Sequence, residues 1–321
     1  MKIIVSGASG YIGRHLVQAL AKAGHEVVAL TRRPSDDALF ADPRIHSFVM
    51  DSEGRWSASC LGASMFIHAA GRAHRKNPEG LALQTLFRRD NVELSLKAAR
   101  VAIDLEIPSF ALISSIGAAL LEKEIAEGRT DLASAWQKEP YRASKLEVET
   151  SLQTLFQNEP SKTTLQIIRL PMVYGLKAPG NFTLLSKLIR TKLPLPFASV
   201  SNRRAFLSTA NLDSFFVHLA ERGHWPSGRW AIRDADELST PDFIRAIAEE
   251  SFGQKACLFP FPPALIEAAG KVFGLGGSME SLLGSLSIDL APVKRDLDWA
   301  PLYTVRESLA LGSDLSEFKE S

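Results

Sequence analysis

Cysteine is scarce. Cys60 and Cys257 are the two among 321 residues, too few for a disulfide framework and outside any CxxC or Cys/His cluster. A reducing, cytoplasmic setting suits such a chain. Asp, Glu and His nowhere fall at metal-ligand spacing, so no metal is expected. Net charge is scarce too: 37 Lys+Arg against 36 Asp+Glu leave +1, without the basic field that binding to nucleic acid requires. Long apolar runs are missing. The apolar opening after Lys2 reaches a glycine at Gly7, too soon for a signal-peptide core, and no stretch approaches the roughly 18 uninterrupted apolar residues of a membrane span. The most apolar late segment, Phe259 to Leu275, is broken by Pro260, Pro262, Pro263, Glu267 and Lys271 and reads as a buried or amphipathic helix. Neither nucleic acid nor membrane insertion is expected.

What remains is ordinary globular material. Hydrophobic residues make up 45% and charged residues 23%, and about 150 residues per domain predicts roughly two domains. The first half alternates short β-branched runs with longer segments of helical period, the pattern of a parallel sheet with crossover helices. Strands are predicted at Lys2–Val5, His25–Leu30, Ile45–Met50, Met65–Ala69, Ser109–Ser114 and Leu165–Leu170. Helices are predicted over Gly10–Ala23, about Leu81–Leu105, and from Pro140, which suits a first helical turn. After about Gly175 the rhythm changes: Pro179, Gly180, Pro194 and Pro196 punctuate the chain, and helical stretches such as Leu212–Glu221 and Pro241–Glu250 dominate. This predicts a second, smaller α/β region interleaved with the first.

Directly after the first strand comes Gly7-Ala8-Ser9-Gly10-Tyr11-Ile12-Gly13, opening a helix. Glycines here let the backbone turn tightly and approach a pyrophosphate, while the helix N-terminus offers free N–H groups to it. The spacing is GxxGxxG with no Lys-Ser/Thr after it, which excludes a P-loop. A bare strand-to-helix turn is the alternative reading, but in this setting the segment predicts a Rossmann-like, doubly wound dinucleotide fold. Strand two ends in Thr31-Arg32-Arg33, where a carboxylate would grip a free ribose 2′-OH. Two guanidiniums suit a 2′-phosphate instead, so NADP(H) is preferred and NAD(H) possible; a solvated basic turn is the competing reading. Asp51 is placed to accept from an adenine amino group, unless it is an exposed turn residue.

The chemistry centres on Tyr141-Arg142-Ala143-Ser144-Lys145, with Ser114-Ser115 upstream at a strand end. Tyr141 and Lys145 share a helix face at i and i+4. An ammonium beside a phenol is expected to lower its pKa from about 10, making it a general acid or base. A serine hydroxyl opposite would hold the substrate oxygen.

In this order the motifs resemble the extended short-chain dehydrogenase/reductase family, the NAD(P)-dependent epimerase/dehydratase group acting on nucleotide-activated sugars. The resemblance also rests on His68-Ala69-Ala70-Gly71, Asn91-Val92 and Arg169-Leu170-Pro171-Met172-Val173-Tyr174-Gly175. It implies that Ala69, Ala70 and Gly71 pass along the cofactor diphosphate and that Asn91 belongs to the cofactor site. Tyr141 would be the catalytic acid/base, with Lys145 also on the nicotinamide ribose and the backbone of Pro171 to Val173 at the carboxamide. Position favours Ser115 over Ser114 as the catalytic hydroxyl, and two adjacent serines leave both open. Asn181 and Arg204 occupy places where relatives hold the uridine diphosphate, a surface loop being the bland alternative. His74 would face the substrate, and His68 reads as a satisfied structural histidine.

The resemblance is nearest to 4-ketoreductases that form UDP-N-acetyl-quinovosamine. It implies NADP(H)-dependent reduction of the 4-keto group of a UDP-linked deoxy-N-acetylhexosamine. Residues 1–175 would form the cofactor domain and 176–321 a smaller sugar-nucleotide domain, some segments returning to the first, in a homodimer. A UDP-hexose or UDP-N-acetylhexosamine 4-epimerase with bound NAD is the alternative, and a non-catalytic cofactor-sensing scaffold a third. Ile116-Gly117 replaces the acidic pair that dehydratases place after their catalytic Thr, which argues against dehydration.

Overall fold

Runs such as Ile3-Ile4-Val5 and Val27-Val28 favour extended backbone and bury well on both sheet faces. In the computed structural model, which describes residues 1–33, 38–50, 55–73, 80–159, 161–272 and 282–312, these runs become parallel strands. The strands are β1 (Lys2–Ser6), β2 (Glu26–Thr31), β3 (Ile45–Val49), β4 (Met65–His68), β5 (Ser109–Ser115) and β6 (Thr164–Leu170), followed by β7 (Met172–Tyr174), β8 (Arg204–Ser208), β9 (Gly228–Ala231) and β10 (Glu237–Leu238). Among the described residues the α-helices are α1 (Tyr11–Lys22), α2 (Gly80–Phe87), α3 (Leu94–Asp104), α4 (Ile116–Ala126), α5 (Leu132–Lys138), α6 (Pro140–Asn158), α7 (Asn181–Arg190), α8 (Thr209–Glu221), α9 (Thr240–Ala246), α10 (Pro263–Val272), α11 (Ala291–Leu297) and α12 (Val305–Leu311).

Two compact units emerge. The first comprises Met1–Pro171, Asp213–Ile232 and Ala291–Trp299; the second comprises the described residues of Met172–Leu212, Arg233–Leu290 and Ala300–Ser321. Asp213–Ile232 and Ala291–Trp299 are thus segments of the second half of the chain that belong to the first unit.

In the first unit seven parallel strands run in the order β3-β2-β1-β4-β5-β6-β9. This is a doubly wound Rossmann-like sheet whose order reverses between β1 and β4, and in such sheets ligands bind beyond the strand carboxyl ends at that point. Ile3, Ile4 and Val5 are fully buried, as a sheet covered on both faces requires. On one face Ala98, Ala99 and Ala102 of α3 and Val148 and Leu152 of α6 join Ile4, Phe66, Phe110 and Ile167 in one core. Small residues on α3 let it lie close to the sheet. Between α2 and α3 the helical run expected over Leu81–Leu105 widens into a π-turn, Arg88–Glu93.

The second unit holds a three-stranded sheet, β10-β8-β7. Its core is aromatic, with Phe206 stacked on Phe243 at 3.9 Å and Tyr174 edge-on to Phe243 at 5.4 Å. At its polar centre buried Asp234 accepts from Ser208 N at 2.9 Å, Asn211 Nδ2 at 2.6 Å and Tyr174 OH at 2.5 Å. The late apolar segment is helical at α10, with Ile266 buried and Leu265 exposed. Among the described residues no helix is long and apolar enough to cross a membrane.

Candidate active site

The glycine turn sits where sheet order reverses. Gly7 takes φ +72°, and a Cβ there would lie 2.7 Å from the N and Cα of Ala70 in the loop after β4. At Gly13 a Cβ would lie 2.1 Å from the Gly7 carbonyl oxygen. Close approach of backbone to backbone therefore selects glycine at both places. Helix α1 begins behind Gly10 with no side-chain cap and no acidic residue in its first turn, so its leading N–H groups face outward as an anion site. Ser9 and Gly10 are exposed, and Tyr11 and Ile12 half-buried. This cradle fits a dinucleotide pyrophosphate: it offers backbone donors and no side-chain bulk, with Ala69, Ala70 and Gly71 along its other wall.

At the end of β2, Thr31 is buried and its hydroxyl donates to the Arg33 carbonyl at 2.8 Å, which fixes the turn. Arg32 and Arg33 are exposed, and among the described residues neither guanidinium has an ion-pair partner. Asp51 and His74 lie outside the described residues.

The second half of the site is built on α6. Pro140 opens this helix and Tyr141 and Lys145 follow on one face. The Ser115 side chain caps α4 by accepting from Gly117 N at 3.1 Å, and its hydroxyl is also hydrogen-bonded to Tyr141. Ser114, by contrast, is buried and donates to the Glu149 carboxylate. The two adjacent serines thus have separate partners, and Ser115 is the one at the phenol.

Asn91 ties the parts together from inside the π-turn. Its Oδ1 accepts from Arg72 N at 2.6 Å, and its Nδ2 reaches the Arg72 carbonyl at 3.1 Å and the Ser144 hydroxyl at 2.8 Å. Ser144 in turn donates to the Tyr141 carbonyl at 2.8 Å. Arg72 is clamped by two bonds to Asp90 Oδ2, at 2.9 and 2.6 Å. A widened helical turn is a common way to aim a side chain at a functional site.

The electrostatics differ from the sequence-based expectation in two respects. Lys145 was expected to draw the Tyr141 phenol down, but burial raises it above its ordinary value, opposed only by the Ser115 hydrogen bond. A phenolate here would lose its hydration, and the Lys145 ammonium points elsewhere, donating to the Ile113 carbonyl at 3.0 Å. Burial lowers Lys145 itself to about 8, with Glu149 opposing the shift. His68 is only half satisfied: Nδ1 meets the Ser6 hydroxyl at 2.7 Å, while buried Nε2 has no partner among the described residues. Burial and the Lys145 charge push this imidazole down to about 3.

The remaining predicted residues are placed as follows. Pro171 directly follows β6 in the first unit. In the second unit Val173 lies in β7, Asn181 opens α7 behind Gly180, and Arg204 begins β8. Arg204 is half-buried, donates to the Gly284 carbonyl, and is drawn below the ordinary arginine value by burial alone. Sequence reasoning missed Arg72, Asp90 and Glu149. The signal for Glu149 was present, since Tyr141, Lys145 and Glu149 follow at i, i+4 and i+8 on one helix face.

The chain has known relatives. The family model described as "NAD dependent epimerase/dehydratase family" matches residues 3–226. A UDP-glucose 4-epimerase of Vibrio cholerae is 28% identical, covering 95% of this chain and 92% of its own. A 4-hydroxy-2-methyl-3-oxo-4-farnesyl-3,4-dihydroquinoline-1-oxide ketoreductase of Stigmatella aurantiaca is 29% identical over 87% of this chain and 80% of its own. Among solved structures, the UDP-glucuronic acid 4-epimerase of Bacillus cereus in complex with NAD shares the fold, at TM-score 0.73, 17% identity and full coverage of both chains. The glycine cradle, the Tyr-x-x-x-Lys helix and the family match over most of the chain make it a member of the NAD dependent epimerase/dehydratase family, an NAD(P)-dependent oxidoreductase-type enzyme of the extended short-chain dehydrogenase/reductase group.

Proposed function

We propose that the enzyme reduces the 4-keto group of a UDP-linked deoxy-N-acetylhexosamine, with NADP(H) as cofactor. The observation that carries this reading is the Tyr141 phenol, kept protonated by burial and hydrogen-bonded to Ser115. A tyrosine held in its acid form is poised to give a proton to a carbonyl oxygen.

The nicotinamide, when bound, supplies hydride chemistry at the sugar carbon. Around it the chain's own residues bind and orient. Gly7 to Gly13 and Ala69 to Gly71 hold the diphosphate. Arg32 and Arg33 take the 2′-phosphate, and Lys145 with Asn91 orders the ribose end, while the backbone of Pro171 and Val173 meets the carboxamide. Ser115 positions the keto oxygen and Tyr141 protonates it, a preorganised donor pair aimed at developing negative charge. Arg204 and Asn181 serve the sugar nucleotide's diphosphate; for Arg204 the support is a half-buried guanidinium with no carboxylate paired to it among the described residues.

A second reading, 4-epimerisation of a UDP-sugar with NAD kept bound, is favoured by the Vibrio cholerae relative. One assay separates the two. Purified enzyme should oxidise NADPH when given a UDP-4-keto-6-deoxy-N-acetylhexosamine, and Tyr141→Phe should lose about 10²–10⁴ of the turnover while still binding NADPH. Interconversion of two UDP-sugars without added cofactor would replace reduction by epimerisation, and unchanged turnover in Tyr141→Phe would remove the phenol from the chemistry.

A further inference from the structure

One buried carboxylate is left unused by the scheme above. Glu149 lies one turn beyond Lys145 on α6 and is fully buried. It is held from two neighbouring strands. Arg169 of β6 grips it through Nε, at 3.2 and 3.1 Å to its two oxygens, and through Nη2 at 2.6 Å; Ser114 of β5 donates to it. Strand β5 also presents the Ile113 carbonyl that receives the Lys145 ammonium and, at its end, the Ser115 hydroxyl at Tyr141. A carboxylate buried with this many donors is costly to place, and here one donor stands beside Ser115 on β5 and the other on β6, the strand that leads into Pro171.

Among the described residues, the charged and titratable groups around Lys145 are few. Its own helix contributes Tyr141 and Glu149. Strand β4 contributes His68, pushed down to about 3 and therefore neutral near pH 7. The loop after β4 and the π-turn contribute Arg72 and Asp90, paired at 2.6 Å, with Arg89 also on Asp90 at 2.9 Å. Arg169 on β6 is shared between Glu149 and Glu122 of α4, the latter at 2.8 Å. Of these, Glu149 is the anion that acts on the ammonium. Burial alone works towards a neutral lysine.

We propose that Glu149 is a positioning residue for Lys145: anchored by Arg169 and Ser114 one helical turn beyond it, Glu149 sets the charge behind the ammonium and fixes the end of β5 that carries Ser115. The proposal rests on the reading of Lys145 as part of the cofactor and proton site. Its test is therefore made on the lysine itself, without turnover.

In the full-length enzyme with ¹³Cε-labelled lysine, the Lys145 signal is assigned by its loss in Lys145→Met and titrated by NMR. Glu149→Gln should lower the Lys145 midpoint by at least half a pH unit, Glu149→Asp by less, and Arg169→Gln should raise it. The pH above which NADPH binding weakens should move in the same directions. A merely structural carboxylate would give no shift, or shifts of one sign for the Glu149→Gln and Arg169→Gln variants, and either result overturns the proposal. If Glu149→Gln does not fold, Arg169→Gln decides alone: an upward shift supports the proposal, and none or a downward shift refutes it. An enzyme inert towards sugar nucleotides but showing the opposed shifts would refute the proposed reaction and leave the role of Glu149 standing.

Discussion

At the scale of single residues, the site is governed by what burial does to charge. Tyr141, Lys145 and His68 sit within one small volume, and burial drives each towards its neutral form. For His68 the consequence is a pH-dependent stability. The folded value is about 3 against about 6.5 in an unfolded chain, so between these values the unfolded state binds the extra proton. Stability is retained above pH 6.5 and falls as the pH drops towards 3, by up to about 1.4 kcal/mol per unit from this group. Urea midpoints measured from pH 7 to 5 should decline more steeply in wild type than in His68→Gln. Arg32 and Arg33 make the corresponding prediction for the cofactor. Charge-assisted hydrogen bonds are worth about 1.5–3 kcal/mol, so Arg32→Ser with Arg33→Ser should weaken NADPH binding about tenfold to a hundredfold and leave NADH binding nearly unchanged, as read by calorimetry. The Tyr141/Lys145 pair was legible from its spacing, while spacing leaves the choice between Ser114 and Ser115 open. The direction of the Tyr141 shift was not legible, because it depends on the water removed from around the phenol rather than on its helical neighbour.

At the scale of elements, the β1–α1 turn and the α6 helix were readable because their signals are local. A glycine triplet closes a strand and opens a helix, and a proline begins the helix that carries Tyr141. Gly13→Ala tests the first of these. With its Cβ 2.1 Å from the Gly7 carbonyl oxygen, the turn must shift at a cost of about 1–3 kcal/mol. NADPH affinity should fall by about tenfold or more, with a lower thermal midpoint seen by calorimetry. The π-turn at Arg88–Glu93 was not readable, since Asp90, Asn91 and Val92 weaken the helix locally but no local rule makes such a stretch a widened turn. What widens it is visible in the contacts of Asn91, which reach Arg72 and Ser144. Helix α4 is an intermediate case: Ser115 is its N-cap and Ala118-Ala119-Leu120-Leu121-Glu122 are good helix formers. Its local signal was present, yet the contact of its cap, Ser115, with Tyr141 appears only in three dimensions.

At the scale of the whole molecule, the chain returns to its first unit after leaving it. Strand β9 adds a seventh strand beside β6, and Ala291–Trp299 packs onto α8 and β9: the Leu297 carbonyl meets His218 at 2.8 Å and Asp296 accepts from Trp230 at 3.1 Å. Trp299 is buried edge-on to Phe215 at 5.1 Å. Trp299→Ala should cost about 3–5 kcal/mol, read as a lower urea midpoint, because the returning segment loses its anchor.

The sequence by itself determined the strand and helix alternation of the first half, the glycine turn and the Tyr141/Lys145 pair, since each is written in spacings of a few residues that obey helix or strand periodicity. Only the tertiary structure decided which serine meets the phenol, that Arg169 and Ser114 hold Glu149, and that distant segments complete the sheet. Those outcomes depend on burial and on contacts between residues far apart in the chain, and no local period encodes them.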